Sequence, residues 1–179
     1  MLLIACRTSS DFSLTEKSGR LEYTDARTGI SLLLYGDYSC SRRPIKALRD
    51  LEPAIKEILS HKHIKQQGLF LVASTTLSPW IHYLGTSYPA TNFPTIDSMV
   101  IYELLPEHIT DAHLTPFHSD INGSESMHAR YAHQGYSFSD YFSIINQQLI
   151  RLTFAGPDST ANNLYQESAA IYQTLNCKK

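Results

Sequence analysis

Residues 148–175, QLIRLTFAGPDSTANNLYQESAAIYQTL, decide the fold because they place a strand and a helix on either side of a Gly-Pro break. The segment QLIRLTF predicts a strand that ends at Gly156-Pro157. Asp158 or Ser159 is a good N-cap for the helix that follows. One face of that helix is predicted to carry Leu164, Ser168, Ile171 and Leu175.

A hairpin and a helix are predicted near the start of the chain. Residues 20–25 and 30–38 have strand character, and the four residues between them end in Gly29, where a positive φ would be tolerated. The apolar residues of 45–60 recur at helical spacing, which predicts a helix. Pro53 removes a backbone donor inside that helix, so we expect a kink or a break just before it.

The middle of the chain alternates between short strands and long segments without a sustained period. These segments are predicted, in order, to be a strand at 69–73, an aromatic-rich loop at 74–97, a strand at 98–105, a long loop at 107–135, a turn at 136–140 and a short helix at 141–146. The strands outnumber the helices and do not alternate strictly with them. The expected class is therefore α+β, with an antiparallel-rich sheet on which the 45–60 helix and the C-terminal helix pack.

This order of elements resembles the PsbP/Mog1/DcrB type of α/β/α sandwich. The resemblance is carried by the early hairpin, the helix after it, and the closing segment Arg151-Leu152-Thr153-Phe154-x-Gly156-Pro157 before an amphipathic helix. That group includes small bacterial lipoproteins. The resemblance implies a fold but no catalytic residues, because the group has no shared active site.

The first residues resemble the lipidation signal of bacterial lipoproteins. In Leu3-Ile4-Ala5-Cys6 a short aliphatic run and a small residue precede a cysteine, as in a lipobox. The polar residues after Cys6 fit a spacer, so residues 1–18 are interpreted as a lipidated start and flexible tether, and 19–179 as one globular domain. Only five residues precede Cys6, fewer than a secretory signal needs. The alternative is a short opening strand in which Cys6 is a small buried apolar residue.

The lipoprotein interpretation leads to a prediction for the other two cysteines. In an oxidising compartment, Cys40 and Cys177 form an even pair that is able to make one disulfide. Arg7 stands where an Asp would follow the lipidated cysteine of an inner-membrane lipoprotein, so the resemblance implies the periplasmic face of the outer membrane. If Met1 is the true start of translation, the cytoplasm is the alternative.

Composition excludes several classes of partner. Fifteen basic and seventeen acidic residues among 179 give a formal net charge of -2, which does not favour nucleic acid. The hydrophobic fraction of 42% is sufficient for the core of one domain. No apolar run approaches the roughly 18 residues of a transmembrane helix.

Histidines between 107 and 133 form the candidate metal site. His108, His113 and His118 lie among carboxylates, and imidazole with carboxylate is a ligand set for zinc. Their spacing of five residues does not aim two rings at one point on a strand or a helix. The alternative is a solvated polar loop without a cofactor.

Aromatic residues in the predicted loops form the candidate partner site. Trp80, Tyr83 and Tyr88 fall in one loop region and Tyr136 in the other. Tyr and Trp contribute much contact area with few torsions, which suits a protein partner. The alternative is that most of these rings cap the ends of the core.

No established catalytic motif is present. The sequence has no G-x-S-x-G and no glycine-rich phosphate loop, and Ser139-Asp140 and His133 are near one another only in sequence. We therefore expect a non-enzymatic periplasmic lipoprotein of the bacterial envelope or a secretion system, which binds a protein partner. The alternatives are a metal-binding or small-ligand module built on 107–133 and a hydrolase of unrecognised type.

Overall fold

The computed structural model describes residues 12–26, 29–35, 38–41, 46, 48–59, 68–75, 82–89, 95–96, 98, 109, 112–118, 125–145 and 147–177. Its strands are β1 Phe12–Lys17, β2 Arg20–Asp25, β3 Ile30–Tyr35, β4 Tyr38–Cys40, β5 Gly68–Thr75, β6 His82–Pro89, β7 His113–His118, β8 Glu125–His133, β9 Tyr136–Ile145, β10 Gln148–Pro157 and β11 Asn176–Cys177. Its α-helices are α1 Pro53–Leu59 and α2 Ala161–Tyr172, each preceded by a short 3-10 turn, Leu48–Asp50 and Asp158–Thr160.

The strands form two antiparallel sheets. A seven-stranded sheet has the order β4-β5-β6-β10-β9-β8-β7, and a four-stranded sheet has the order β1-β2-β3-β11. Each pairing is antiparallel. The predicted α+β class, with helices on an antiparallel sheet, is therefore confirmed.

Two tight turns fix the register of neighbouring strands. Ser18 and Gly19 join β1 to β2 with φ of 53° and 74°, and Gln134 and Gly135 join β8 to β9 with φ of 50° and 80°. Two consecutive positive φ values are typical of the type I′ turn, whose twist matches that of the flanking strands. Glycine at the second position adopts this conformation without a steric penalty.

The two faces of the large sheet pack against different layers. On one face, Tyr141 and Phe154 belong to a buried cluster with residues of β3 and α2. On the other face, Phe138 and Phe142 belong to a cluster with Ile55 of α1. Because side chains alternate along a strand, odd-numbered residues of β8 and β10 share the α1 face with even-numbered residues of β9. The central strands are thus buried on both faces.

The C-terminal segment folds as its sequence predicts, apart from the helix start. β10 is followed by α2, and Leu164, Ser168, Ile171 and Leu175 are all buried. The predicted N-cap is wrong because the 3-10 turn Asp158–Thr160 intervenes and places Thr160 at the N-cap. The carboxylate of Asp158 instead accepts a hydrogen bond from Ser137 at 2.7 Å.

The predicted early hairpin is present as β2 and β3, with Gly29 at a φ of 73°. Within the span 45–60 that is predicted as a helix, Lys46 is helical, Leu48–Asp50 forms a 3-10 turn, and α1 spans Pro53–Leu59. Pro53 is the first residue of α1, where its missing N–H costs nothing. The expected break at Pro53 is therefore confirmed.

Several segments predicted as loops are strands. The 107–135 region contains β7 and β8, the 74–97 region contains β6, and the turn and short helix predicted over 136–146 are replaced by β9. β1 lies inside the predicted tether, so the folded sheet begins before Gly19. In β8 and β9 the cause is that buried serines, tyrosines and His128 interrupt the apolar alternation by which strands are recognised.

Two other predictions fall on residues outside the described ranges. They are the opening segment with Cys6 and nearly all of the strand at 98–105. Among the helices that the structure does describe, none has the length and apolar character needed to cross a bilayer.

Candidate functional site

Three groups of polar side chains stand out on the strands β7 to β10. One lies beneath α2, a second lies on the opposite face of the same sheet, and a third is exposed at the side of α2. We call the first group the polar layer; it consists of Ser126, His128, Ser139, Tyr141, Ser143, Ser168 and Tyr172.

Hydroxyl groups connect α2 to the sheet at one end of the polar layer. Ser126 and Ser143 are cross-strand partners whose Oγ atoms are 2.9 Å apart. The Tyr172 hydroxyl of α2 donates to Ser126 Oγ at 3.1 Å and also bonds to Ser143 Oγ. Since these groups are buried, the bonds satisfy polar atoms that would otherwise be desolvated without compensation.

His128 occupies the centre of the polar layer. Its Nε2 lies 2.8 Å from Ser139 Oγ, and Ser139 Oγ lies 2.9 Å from Ser168 Oγ of α2. The imidazole also stacks on Tyr141 with ring centroids 4.2 Å apart, and Tyr141 stacks on Tyr172 at 4.3 Å. The side chain is therefore held by a hydrogen bond and a ring contact together.

The environment of His128 opposes its positive charge. Burial, followed by the charge of Arg130, lowers the pKa of His128 from 6.5 to about 4; Asp140 raises this pKa in part, and His113 lowers it further. Desolvation penalises the charged imidazole, and nearby cations add repulsion. His128 is thus neutral at pH 7.

Ser139 and His128 are hydrogen-bonded as a catalytic nucleophile and its base would be, but this pair is buried. Ser139 is fully buried beneath α2, with 0% of its surface exposed, so its Oγ does not face solvent. The neighbouring Asp140 lies on the opposite face of the sheet, and His133 bonds instead to Glu57 of α1 at 3.2 Å. The hydrogen bonds from His128 to Ser139 and from Ser139 to Ser168 hold α2 on the sheet.

The second group is a buried ion pair on the α1 face. Arg151 Nη2 donates to Asp140 Oδ2 at 2.6 Å, and the hydroxyl of Tyr131 donates to the same oxygen at 2.9 Å. The guanidinium also lies over the ring of Phe142, 5.5 Å from its centroid. Burial, with the negative charge of Asp140 beside it, raises the pKa of Tyr131 well above its ordinary value. Both charges are neutralised inside the protein.

The third group is an exposed surface on β7 and β8, which we call the shelf. It consists of the exposed His113, Thr115, Arg130 and Ala132, together with the partly buried Tyr165 of α2 that borders them. Register places His113 opposite Arg130 and Thr115 opposite His128, so these side chains share the face on which α2 packs. α2 covers β9 and β10, and the shelf lies at its side.

Arg130 is the charged centre of the shelf. Its guanidinium lies over the ring of Tyr165 from α2, 4.6 Å from the centroid, and the residue is exposed. Among the described residues, no carboxylate forms an ion pair with Arg130. A guanidinium stacked on an aromatic face keeps its N–H edge available for a planar anion.

Two residues of the candidate metal site lie at opposite ends of one strand. His113 and His118 are the first and last residues of β7, and His108 lies outside the described residues. Five steps along a strand separate two backbone positions by about 17 Å. Within the described part of the chain, no three His, Cys, Asp or Glu side chains converge on one point.

The candidate aromatic residues also lie elsewhere than predicted. Trp80 is outside the described residues, while Tyr83 and Tyr88 belong to β6, between β5 and β10. Tyr136 is the first residue of β9 and is half-buried against the α1-side cluster. Because β6 is an interior strand, Tyr83 and Tyr88 are not loop residues.

The two cysteines that the structure describes are not joined in a disulfide, so the expected Cys40–Cys177 bridge is not formed. Cys40 lies in β4 of the large sheet and Cys177 in β11 of the small sheet, and both pack against the same buried cluster. Burial raises the pKa of the Cys40 thiol to about 12, so this group is not a thiolate at neutral pH.

Sequence reasoning missed most of these residues. A signal was available in β9, where Ser137, Ser139, Tyr141 and Ser143 recur at every second position. That period of two indicates one polar face of a strand. No comparable local signal marks Arg130, whose surroundings depend on the pairing with β7 and on the position of α2.

Comparison with known proteins gives a fold and no family. No protein-family model matches the chain, and a search of curated proteins finds no match. Among solved structures, the solution structure of cyanobacterial PsbP from Synechocystis sp. PCC 6803 is similar, with a TM-score of 0.59 at 10% identity over 92% of this chain and 95% of that one. A Pseudomonas aeruginosa protein of unknown function gives a TM-score of 0.48 at 10% identity, over 94% and 98%. The chain therefore has a PsbP-like fold, as its closing strand and helix predicted.

Proposed function

We propose that this chain is a non-enzymatic binding protein whose protein partner docks on the shelf. The observation that carries the proposal is the exposed Arg130, fixed over Tyr165 at 4.6 Å without a described carboxylate partner. Exposed polar and aromatic side chains on a rigid sheet form a preorganised surface, which lowers the entropic cost of binding.

The contrast with the interior supports this choice of surface. Ser139, Ser168 and Tyr172 are engaged with one another beneath α2, and the Arg151–Asp140 pair is closed on the opposite face. These groups stabilise the fold and do not reach solvent. Of the three groups described above, the shelf is the one whose strand residues are exposed.

Photo-crosslinking in the native cell tests the location of the partner. A photoreactive phenylalanine analogue at Thr115, which is exposed on the shelf, should form a discrete adduct with another protein. The same analogue at Lys46 is the matched control, because Lys46 is exposed and lies outside the shelf. Adducts from Lys46 but none from Thr115 would contradict the proposal.

We further propose that Cys6 anchors the protein to the bacterial envelope, on the periplasmic face of the outer membrane. The lipobox-like Leu3-Ile4-Ala5-Cys6 supports this proposal. Expressed from its own genomic locus, the protein should fractionate with membranes and carry the added mass of a lipid, and Cys6→Ala should abolish both properties. Ser9→Ala is the control and should leave both unchanged. A wild-type protein without added mass would refute the anchor.

A further inference from the structure

We propose that the shelf recognises an acidic peptide segment of its partner, through carboxylates that pair with Arg130 and His113. This inference rests on the proposed function and adds the chemistry of recognition to it. Four observations support it: the cross-strand placement of the two basic side chains, the charges around them, the fixed guanidinium of Arg130, and the small number of basic groups.

The cross-strand placement brings two basic groups together. His113 on β7 and Arg130 on β8 are register partners, so their Cβ atoms are separated by about 5 Å. A carboxylate can accept hydrogen bonds from both side chains at this separation.

The charges around the shelf act on its buried neighbour, His128. Besides burial, the charge of Arg130 lowers the pKa of His128, Asp140 on the opposite face of the sheet raises it, and His113 lowers it. Asp140 lies on the opposite face of the strands and is paired there with Arg151, and the Asp158 carboxylate accepts a hydrogen bond from Ser137, the cross-strand partner of Ala132. Arg130 is therefore an exposed positive charge on the α2 face of a protein of net charge -2.

The guanidinium is preorganised for a planar ligand. The ring of Tyr165 supports one face of Arg130, which limits the rotation of a side chain that is otherwise long and mobile. A carboxylate matches the N–H edge in a bidentate arrangement, and Thr115 on the same face offers a hydroxyl beside it. Less side-chain entropy is lost on binding than for an unsupported arginine.

The number of positive groups favours a peptide over a lipid surface or a nucleic acid. Attraction to anionic membranes uses clusters of about four to eight Lys or Arg residues, and nucleic acids are bound through many phosphate contacts. The described shelf offers one arginine and one histidine. Two basic groups on a strand pair suit one or two carboxylates of an extended peptide.

The test is a binding titration with defined probes, followed by NMR chemical shifts of the full chain. The first probe is an acetylated hexapeptide of alternating glutamate and alanine, and its neutral control has glutamine in place of glutamate. Inorganic phosphate and vesicles with about one-third phosphatidylglycerol are the competing probes. We expect the glutamate peptide to bind at the shelf and the glutamine peptide to bind at least about tenfold more weakly.

Variants of matched charge locate the contact. Arg130→Glu should weaken binding of the glutamate peptide by at least about tenfold, and Arg130→Lys by about threefold, because lysine keeps the charge and loses the planar fork. Arg49→Glu is the control, since Arg49 is exposed in the 3-10 turn before α1. It makes the same charge change outside the shelf and should alter the affinity by less than about twofold.

Other results would overturn the inference. They are an absence of glutamate-peptide binding, equal binding of the glutamine peptide, equal binding to Arg130→Glu, or tighter Arg130-dependent binding of phosphate or of the vesicles. The proposed function is judged separately by the crosslink from Thr115. If that crosslink forms and survives Arg130→Glu, the shelf is a docking surface that does not read acidic groups. If it does not form in the wild type, the proposed function fails.

Discussion

Two arginines on the same sheet have opposite environments. Arg151 of β10 is 3% exposed and bonds to Asp140 at 2.6 Å, whereas Arg130 of β8 is exposed and rests on Tyr165. Arg151 is surrounded by the cluster beneath α1, and Arg130 lies on the other face, at the side of α2. Arg151 thus stabilises the fold, whereas Arg130 is exposed where a partner can reach it.

The largest expected effect on stability comes from removing one partner of the buried Arg151–Asp140 ion pair. Arg151→Met leaves the Asp140 carboxylate buried without its cation, so the free energy of unfolding should fall by about 3 to 5 kcal/mol. Asp140 Oδ1 already has no hydrogen-bond partner within the part of the chain that the structure describes, which leaves little compensation. Urea denaturation followed by circular dichroism measures the change.

The double variant Asp140→Leu with Arg151→Met is the control for that experiment. It removes both charges and should recover part of the lost stability, because an apolar pair of similar volume replaces the ion pair, while the buried Tyr131 hydroxyl loses its acceptor. A single-variant cost below about 1 kcal/mol would show that Arg151 is no more structural than a surface arginine.

A pH titration extends the comparison to His128, which is buried on the same face as Arg130. Its pKa is lowered from 6.5 to about 4 in the folded state, so the unfolded chain binds a proton first as the pH falls. The neutral His128 contributes fully to the free energy of unfolding above pH 6.5. This contribution, up to about 3 kcal/mol, is lost as the pH falls from 6.5 to about 4. His128→Gln should have a shallower dependence, measured by urea denaturation across this range. Identical slopes in the two proteins would contradict the assignment.

The β8–β9 turn sharpens the comparison, because its register puts Arg130 and Asp140 on opposite faces. Gly135 has a φ of 80°, and a Cβ there would meet nothing within 4 Å, so Gly135→Ala acts through backbone strain alone. The expected loss is about 1 to 2 kcal/mol, read from the urea midpoint. Gly135→Asn is the control and should lose less, because asparagine tolerates this conformation. Equal losses in the two variants would argue against strain.

The smallest expected effect on stability belongs to Arg130. Arg130→Glu should lower the free energy of unfolding by no more than about 1 kcal/mol, because the exposed side chain loses its contact with the Tyr165 ring and has no described ion pair to lose. Arg49→Glu gives the background for an exposed charge reversal in the same denaturation experiment. A loss above about 2 kcal/mol for Arg130→Glu alone would place this arginine among the structural residues.

The sequence predicts the elements whose polar and apolar residues follow one simple period. The C-terminal helix, the β2–β3 hairpin and the break at Pro53 are of this kind. β9 was missed because both of its faces are buried, one beneath α1 and the other beneath α2, so serines stand at interior positions. In β8, Ser126 and His128 are buried in the same way, whereas Arg130 and Ala132 are exposed. Binary patterning has no signal for such strands.

The candidate site was harder to predict than the fold. His113 was singled out as a metal ligand, and the structure instead pairs it with Arg130 across β7 and β8. The importance of Arg130 depends on Tyr165, which is 35 positions away in the chain and reaches it only through the packing of α2. No local motif encodes such a contact.

The most direct test of the division between structural and binding charges combines two readouts on Arg130→Glu. The photo-crosslink from Thr115 and the thermal midpoint are measured in the same variant, with Arg49→Glu beside it. We predict loss of the crosslink and a midpoint within about 4 °C of the wild type. A retained crosslink, or a midpoint that falls by about 6 °C or more, would contradict the account.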